Sequence, residues 1–266
     1  MILSHVQYPC SDSSCARCSL IIVHGLFGAG INWRRMAERL SDLRDVYTLD
    51  LRNHGESGHE EALDYQVMAA DVAETCRALG IEQAMFLGHS MGGKVVMQLA
   101  FDYPSLVRGL VVADIGPDAY QHRFTTIVEA LGSLDLGGIH GRGEADQRLA
   151  ASIGDRRVRT FLLQNLRRDK DGHFFWRLNL ASIRTHLDDI AASVGEGAAP
   201  SSLPVLFLAG ERSSYLNDGQ RKAALSLFPS ARFIEVPNAG HWVQVDNPDA
   251  FFRFVSPFLA SLDPSS

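Results

Sequence analysis

Long hydrophobic runs are missing from this 266-residue chain. No apolar stretch approaches the ~20 residues that a spanning helix needs, so no membrane span is expected. A charged opening followed by an apolar stretch is also missing: the chain starts Met1-Ile2-Leu3-Ser4-His5, and its first positive side chain is Arg17. That start predicts no secretory or transit peptide, and with it a cytoplasmic protein. Cysteine is scarce, with four residues, Cys10, Cys15, Cys18 and Cys76. A chain of this length buries a core without stapling, which argues against a disulfide scaffold. Cys10, Cys15 and Cys18 have the C-x4-C-x2-C spacing of plant-type ferredoxins, but the fourth ligand would be Cys76, midway along an amphipathic helix pattern. A serine-rich turn between two N-terminal strands is the reading adopted. Basic charge is in deficit too, 25 Lys+Arg against 31 Asp+Glu, and no basic block stands out, so no nucleic-acid partner is expected.

What is present is ordinary globular usage, 46% apolar and 21% charged, which excludes disorder. Periodicity and punctuation give the organisation. Buried-type strands are predicted at 19–23, 45–49, 84–87 and 106–113, alternating with helices at 33–40 (capped by Asn32), 65–79 and 91–101. Strict alternation implies a parallel sheet with helices on both faces. From 116 to 200 the pattern turns mostly helical, without strands of the parallel type. The alternation resumes with strands at 205–209 and 232–236, and helices near 219–228 and from Pro248. The expectation is one domain, an α/β core of 1–115 and 201–266 with a helical lid of 116–200. The lid should cover the C-terminal strand edge, where open α/β sheets bind ligands.

The strongest local signal is Gly88-His89-Ser90-Met91-Gly92, a G-x-S-x-G between a predicted strand and a predicted helix. A sharp strand-to-helix turn holds its apex residue at strained dihedrals, and residues two before and two after approach too closely for a Cβ. Ser90 would stand exposed at the crest, next to a helix N-terminus that adds positive potential. A serine hydroxyl needs a base. Of ten histidines, His241 lies in a loop directly after the last strand, on the same sheet edge as Ser90. His24 and His89 precede glycines at strand ends and read as shaping hydrogen bonds, and His54 belongs to a turn. The third requirement is an oxyanion hole. His24-Gly25-Leu26-Phe27-Gly28 follows an early strand and would present the Leu26 N–H, paired with the N–H of Met91. The glycines Gly25, Gly28 and Gly30 are spaced G-x-x-G-x-G, not the G-x-G-x-x-G of a dinucleotide site.

These pieces, together with Asp50-Leu51-Arg52-Asn53-His54-Gly55-Glu56-Ser57, Gly93-Lys94, Asp114-Ile115-Gly116-Pro117 and Gly240-His241-Trp242, resemble the α/β-hydrolase superfamily, more narrowly its YbfF-like esterase branch. The resemblance runs over nearly the whole chain. It implies the α/β-hydrolase fold and a serine hydrolase acting on esters and thioesters, acyl-CoA compounds included, with no metal or organic cofactor. In most of the superfamily the acid follows a later strand in a pattern like G-D-x-D. Here that segment reads Gly210-Glu211-Arg212-Ser213, so a serine stands at the expected carboxylate. Asp114, Glu211 and Asp218 all keep the order serine, acid, histidine. Asp114 is preferred, because neighbouring strands lie ~4.8 Å apart at one edge and the YbfF-like branch is similar in using the earlier strand. Asp114 could alternatively be a helix N-cap opening the lid.

Tyr120 and Arg123 follow the preferred acid and Tyr215 follows the later strand, so these three are candidate substrate contacts. Arg123 would suit a carboxylate or phosphate. Phe161, Leu162, Phe174, Phe175 and Trp176 read as core of the insert. Arg156, Arg157, Arg159, Arg167 and Arg168 read as a charged outer face, with attraction of an anionic carrier as the other reading. The expected partner is a small ester or thioester. A cofactor-free C–C hydrolase or lyase, or a receptor with a vestigial triad, would use the same fold.

Overall fold

The computed structural model describes residues 1–10, 18–122 and 124–263. In chain order its strands are β1 (His5–Tyr8), β2 (Leu20–Val23), β3 (Val46–Leu49), β4 (Ala84–His89), β5 (Val107–Ala113), β6 (Leu166–Arg168), β7 (Phe174–Trp176), β8 (Val205–Gly210) and β9 (Arg232–Val236). The helices are α1 (Arg34–Leu40), α2 (Tyr65–Ala78), α3 (Met91–Asp102), α4 (Phe124–Gly132), α5 (Arg142–Leu149), α6 (Arg156–Leu162), α7 (Leu180–Thr185), α8 (Leu187–Ala191), α9 (Asp218–Leu227), α10 (Val243–Asp246) and α11 (Pro248–Ala260). Seven strands form one sheet in the order β1-β3-β2-β4-β5-β8-β9. β1 runs antiparallel to β3 at the edge, and the other neighbours are parallel.

The central strands are apolar on both faces because both faces are covered. Leu20, Ile22, Met85, Leu87, Val111 and Ala113 pack with Trp33, Leu40 and Phe251 on one side of the sheet. Ile21, Val23, Phe86, Leu110 and Val112 point the other way, toward Met68, Val72 and Val95 of α2 and α3. The period of two thus sorts each strand into two cores. α2 starts on Asp64, whose side chain accepts the Val67 N–H at 2.8 Å, and is followed by Gly80 at φ +71°. The helix starts at Tyr65 as the sequence pattern predicts and ends at Ala78, one residue short of the predicted 79, while the Asp64 cap is added by the structure.

Asn32 does not cap α1. Residues Gly30–Trp33 form a 3-10 turn ahead of the helix, and the Asn32 side chain instead accepts the Ala29 N–H at 2.8 Å and donates to Gln164 Oε1 at 2.5 Å. The segment between β5 and β8 holds α4 to α8 together with the antiparallel hairpin β6–β7, which turns through Gly172 at φ +90°.

From β2 the chain crosses to β3 on one side and then to β4 on the other, so the order reverses between β2 and β4. Loops leaving these two strands part there and open a crevice. Among the described residues, five non-glycines have positive φ: Phe27, Asn53, Ser90, Asp114 and Asn238. Each follows the carboxyl end of a strand (β2, β3, β4, β5 and β9), so backbone strain concentrates along one edge, as at functional sites.

Candidate active site

Ser90 is the first residue past β4 and the residue before α3, at φ 53° and ψ −121°. The bend is enforced by sterics. A Cβ on Gly88 would stand 2.2 Å from the Gly92 carbonyl oxygen, and one on Gly92 would stand 2.4 Å from that of Val23. Neither glycine has a substitute. The Ser90 N–H donates to Ala113 O at 2.9 Å, fastening the bend to the neighbouring strand.

β4 and β5 are paired with His89 opposite Ala113, so Ser90 and Asp114 leave adjacent strands at the same level. Asp114 is fully buried, and its two oxygens are both engaged. Oδ1 accepts the Gly210 N–H at 2.9 Å, while Oδ2 accepts His241 Nδ1 at 2.7 Å and the Ser213 hydroxyl at 2.5 Å. Of the three acids left open by the sequence, Asp114 is the one that meets His241. Glu211 is exposed and accepts the Asn238 N–H at 2.5 Å, and Asp218 opens α9 at the surface. Ser213, which stands where the G-D-x-D pattern has its acid, donates its hydroxyl to Asp114.

His241 is held on three sides. Tyr215 stacks on its ring, with centroids 4.2 Å apart and planes at 28°. The His89 ring lies 4.8 Å away, and His89 Nε2 donates to the His241 carbonyl at 2.8 Å. Burial, followed by the neighbouring His241, brings the His89 imidazole down to about 3. His89 is therefore a neutral strut near pH 7, in line with the shaping role expected of it.

The Leu26 loop is shaped from below by two more buried histidines. His24 Nδ1 donates to Gly25 O at 2.8 Å and its Nε2 accepts the Leu51 N–H at 3.0 Å. His54 Nε2 accepts the Phe27 N–H at 3.2 Å while Nδ1 donates to Arg52 O at 2.9 Å. Among the described residues, the N–H groups of Leu26 and Met91 have no protein acceptor. They are two donors left for something else. The insertion reaches this loop through Asn165, whose Nδ2 donates to Phe27 O at 2.8 Å. Sequence reasoning missed Asn165, because nothing local marks a contact spanning 138 residues.

Ser90, His241, Leu26 and Tyr215 line one cavity of about 390 Å³. The insertion walls it with Phe124, Ile127, Val158, Phe161 and Leu162. Phe161 and Leu162 are therefore cavity wall and not only core: α6 lies over the sheet edge and packs Phe161 against Trp242, centroids 5.4 Å apart. The arginine run is not a uniform outer face either, since Arg159 is buried and bonded to Asp146 at 2.7 Å. Tyr120 stands behind Tyr215, ring centroids 5.7 Å apart, outside the cavity lining. Arg123 and Cys15 lie outside the described residues. Cys10, Cys18 and Cys76 are free thiols, and burial in α2 pushes Cys76 up to about 12.

A bent serine, an acid-backed histidine and two unused N–H donors at the C-terminal edge of such a sheet define a class. Residues 19–248 match the family model of the alpha/beta hydrolase fold, and the chain belongs to that family. Within it the chain is a hydrolase of the esterase/lipase type, in the branch that includes YbfF. The sn-1-specific diacylglycerol lipase ABHD11 of Mus musculus is 35% identical over 263 residues, 96% of this chain and 85% of that protein. Esterase YbfF of Escherichia coli strain K12 is 33% identical over 242 residues, 90% of this chain and 92% of that protein. A solved structure described as a marine microorganism esterase has a TM-score of 0.92 at 34% identity, covering 97% of this chain and 99% of the other.

Proposed function

We propose that the protein is a serine esterase or thioesterase that hydrolyses short- to medium-chain acyl esters or acyl thioesters, acyl-CoA compounds among them, through an acyl-enzyme on Ser90. The observation that carries this reading is the Asp114–His241 hydrogen bond of 2.7 Å beside the cavity that Ser90 shares. With Nδ1 committed to Asp114, Nε2 is the nitrogen left to act as base. Ser90 Oγ attacks the acyl carbonyl and its proton passes to His241. Asp114 fixes the tautomer and stabilises the imidazolium without taking the proton. The Leu26 and Met91 N–H groups receive the developing oxyanion. His241 then returns the proton to the departing alkoxide or thiolate. A water, deprotonated by His241, attacks the acyl-enzyme, releases the carboxylic acid and restores the Ser90 hydroxyl.

The apolar cavity walls suit an acyl chain of limited length, and its volume of about 390 Å³ falls at the small end of ligand sites. Residues 116–200 act in this reading as a lid that supplies those walls. Tyr215 is the substrate contact, Tyr120 its support, and Arg123 a contact for a charged leaving group. A cytosolic location belongs to the same proposal, which the free thiols support.

The test is hydrolysis of p-nitrophenyl butyrate, with intact-mass detection of a butyryl adduct. Ser90→Ala is expected to lower kcat by about 10⁴-fold or more and to abolish the adduct. Turnover that survives in Ser90→Ala, or an adduct on another residue, sinks the reading. A wild-type chain that never acylates points to the lyase alternative.

A further inference from the structure

A second cavity of about 540 Å³ opens in the insertion between α5, α6 and β6, and its lining is unusual in charge. Arg142, Arg156, Arg167 and Arg177 line it, with Asp146 the one acid among the lining residues. Asp146 is already engaged by Arg159 at 2.7 Å, and Arg177 Nη1 meets Glu56 at 2.7 Å from outside the cavity. Among the described residues, Arg142, Arg156 and Arg167 have no ion pair. Arg177 is buried, and its Nε has no hydrogen-bond partner among the described residues. An unsatisfied buried N–H on a charged group is costly and calls for an acceptor. The Arg167 guanidinium is held below its usual range by burial and then by the like charges of Arg177 and Arg142. An anion among these guanidinium groups would relieve that repulsion.

We propose that these four arginines form a binding site for phosphate, either free or as the terminal group of a phosphorylated small molecule. The charge count selects the ligand. Five guanidinium groups, counting Arg159, face the two carboxylates Asp146 and Glu56, which leaves three positive charges. A monocarboxylate neutralises one of them. A phosphate group carries about −1.5 to −2 at pH 7 with three acceptor oxygens, and planar guanidinium forks match it in pairs. Gly143, in the first turn of α5, also lines the cavity, and that helix opens on Gly141 without a side-chain cap.

The site stands apart from the catalytic cavity, yet an open groove of about 930 Å³ adjoins both. The groove shares Ile31, Arg156, Thr160 and Gln164 with the arginine cavity. It shares Asn32, Phe161, Trp242 and Gln244 with the cavity of Ser90. Two sources of the phosphate follow from this path: the far end of a substrate whose acyl group reaches Ser90, or a free phosphate bound on its own.

The experiment is isothermal titration of the full chain with sodium phosphate and sodium pyrophosphate at low ionic strength. Wild type, Ser90→Ala, Arg156→Gln and Arg167→Gln are compared. Arg156 is exposed, so its variant keeps the fold, and circular dichroism verifies both arginine variants. Saturable binding is expected in wild type and in Ser90→Ala, weakened about tenfold or more by each arginine substitution. Because Ser90→Ala is included, the site stands or falls independently of the hydrolase reading. No saturable binding, or wild-type affinity in both arginine variants, overturns it. The hydrolysis assay then separates the sources. A rise in KM for butyryl-CoA with pyrophosphate, while that for p-nitrophenyl butyrate stays unchanged, assigns the site to the substrate's own phosphate, and an unchanged KM for both assigns it to a free one.

Discussion

At the scale of single residues, the site turns on Asp114 reaching beneath His241 from β5. Its Oδ2 receives both His241 Nδ1 and the Ser213 hydroxyl, so the serine after β8 supports an acid supplied by another strand. Asp114→Asn should present an amide to His241 Nδ1 and favour the wrong tautomer, lowering kcat for p-nitrophenyl butyrate by about 10³–10⁴-fold. Glu211→Gln, at an exposed carboxylate that accepts a loop N–H, should stay close to wild type. The reverse pattern would move the acid to the later strand. Ser90 was legible in the sequence because G-x-S-x-G between strand and helix is a local signal with a local steric cause. His241 was legible because its loop follows the last strand. The preference for Asp114 over Glu211 and Asp218 rested on an assumed pairing of two strands and on the resemblance, because the pairing of β4 with β5 is a long-range fact that no local pattern carries. His54 and Asn165 escaped for the same reason: their partner, Phe27, is far away in sequence.

At the scale of elements, the alternation of strands and helices was readable because the central strands are short apolar runs bounded by turns. The hairpin β6–β7 was not, since three-residue strands leave no period to detect. The insertion's attachment was equally hidden. Lys94 lies in the first turns of α3, four residues past Ser90, and is completely buried. Its ammonium donates to Pro117 O at 3.1 Å, Asp118 O at 2.7 Å and Ala192 O at 2.5 Å, joining the entry and the exit of the insertion to the helix behind the nucleophile. Burial brings this amine down to about 7. In Lys94→Met two effects oppose each other: a desolvated cation is removed, and three carbonyls lose their donor. Replacing a buried charge by an apolar side chain is often near neutral for global stability. The carbonyls can recover their hydrogen bonds from water only if the ends of the insertion loosen. The expected result is a global change below about 2 kcal/mol in urea unfolding, with several-fold faster protease cleavage near 117–119 and 192–197. Cleavage at the wild-type rate would show that the ammonium does not hold those ends.

At the scale of the whole molecule, the strained edge of the sheet rests on imidazoles that must stay neutral. His24, His54 and His89 are all buried, and burial lowers the proton affinity of each. For His54 and His89 the folded value is about 3, against 6.5 for an unperturbed imidazole. The hydrogen bonds explain why protonation is resisted. His24 Nε2 and His54 Nε2 accept backbone N–H groups from Leu51 and Phe27, and a proton on either nitrogen would set donor against donor. The sign follows from the linkage relation. Below pH 6.5 the unfolded chain takes up protons that the folded chain refuses, so stability is full above 6.5 and falls as pH drops toward 3. Each such histidine contributes a slope of about 1.4 kcal/mol per pH unit once the pH is well below 6.5. Chemical denaturation at about pH 7 and about pH 5, a window above the ordinary carboxylate range, should show the wild type markedly weaker in acid. His54→Asn keeps an oxygen to accept the Phe27 N–H but cannot take up a proton. It should lose one histidine's share of that slope, even if it is less stable at both pH values. Equal stability of the wild type at the two pH values, or an undiminished slope in His54→Asn, would mean that the edge does not depend on neutral imidazoles. In that case the Leu26 loop must be held by the Asn165 contact and the sheet alone.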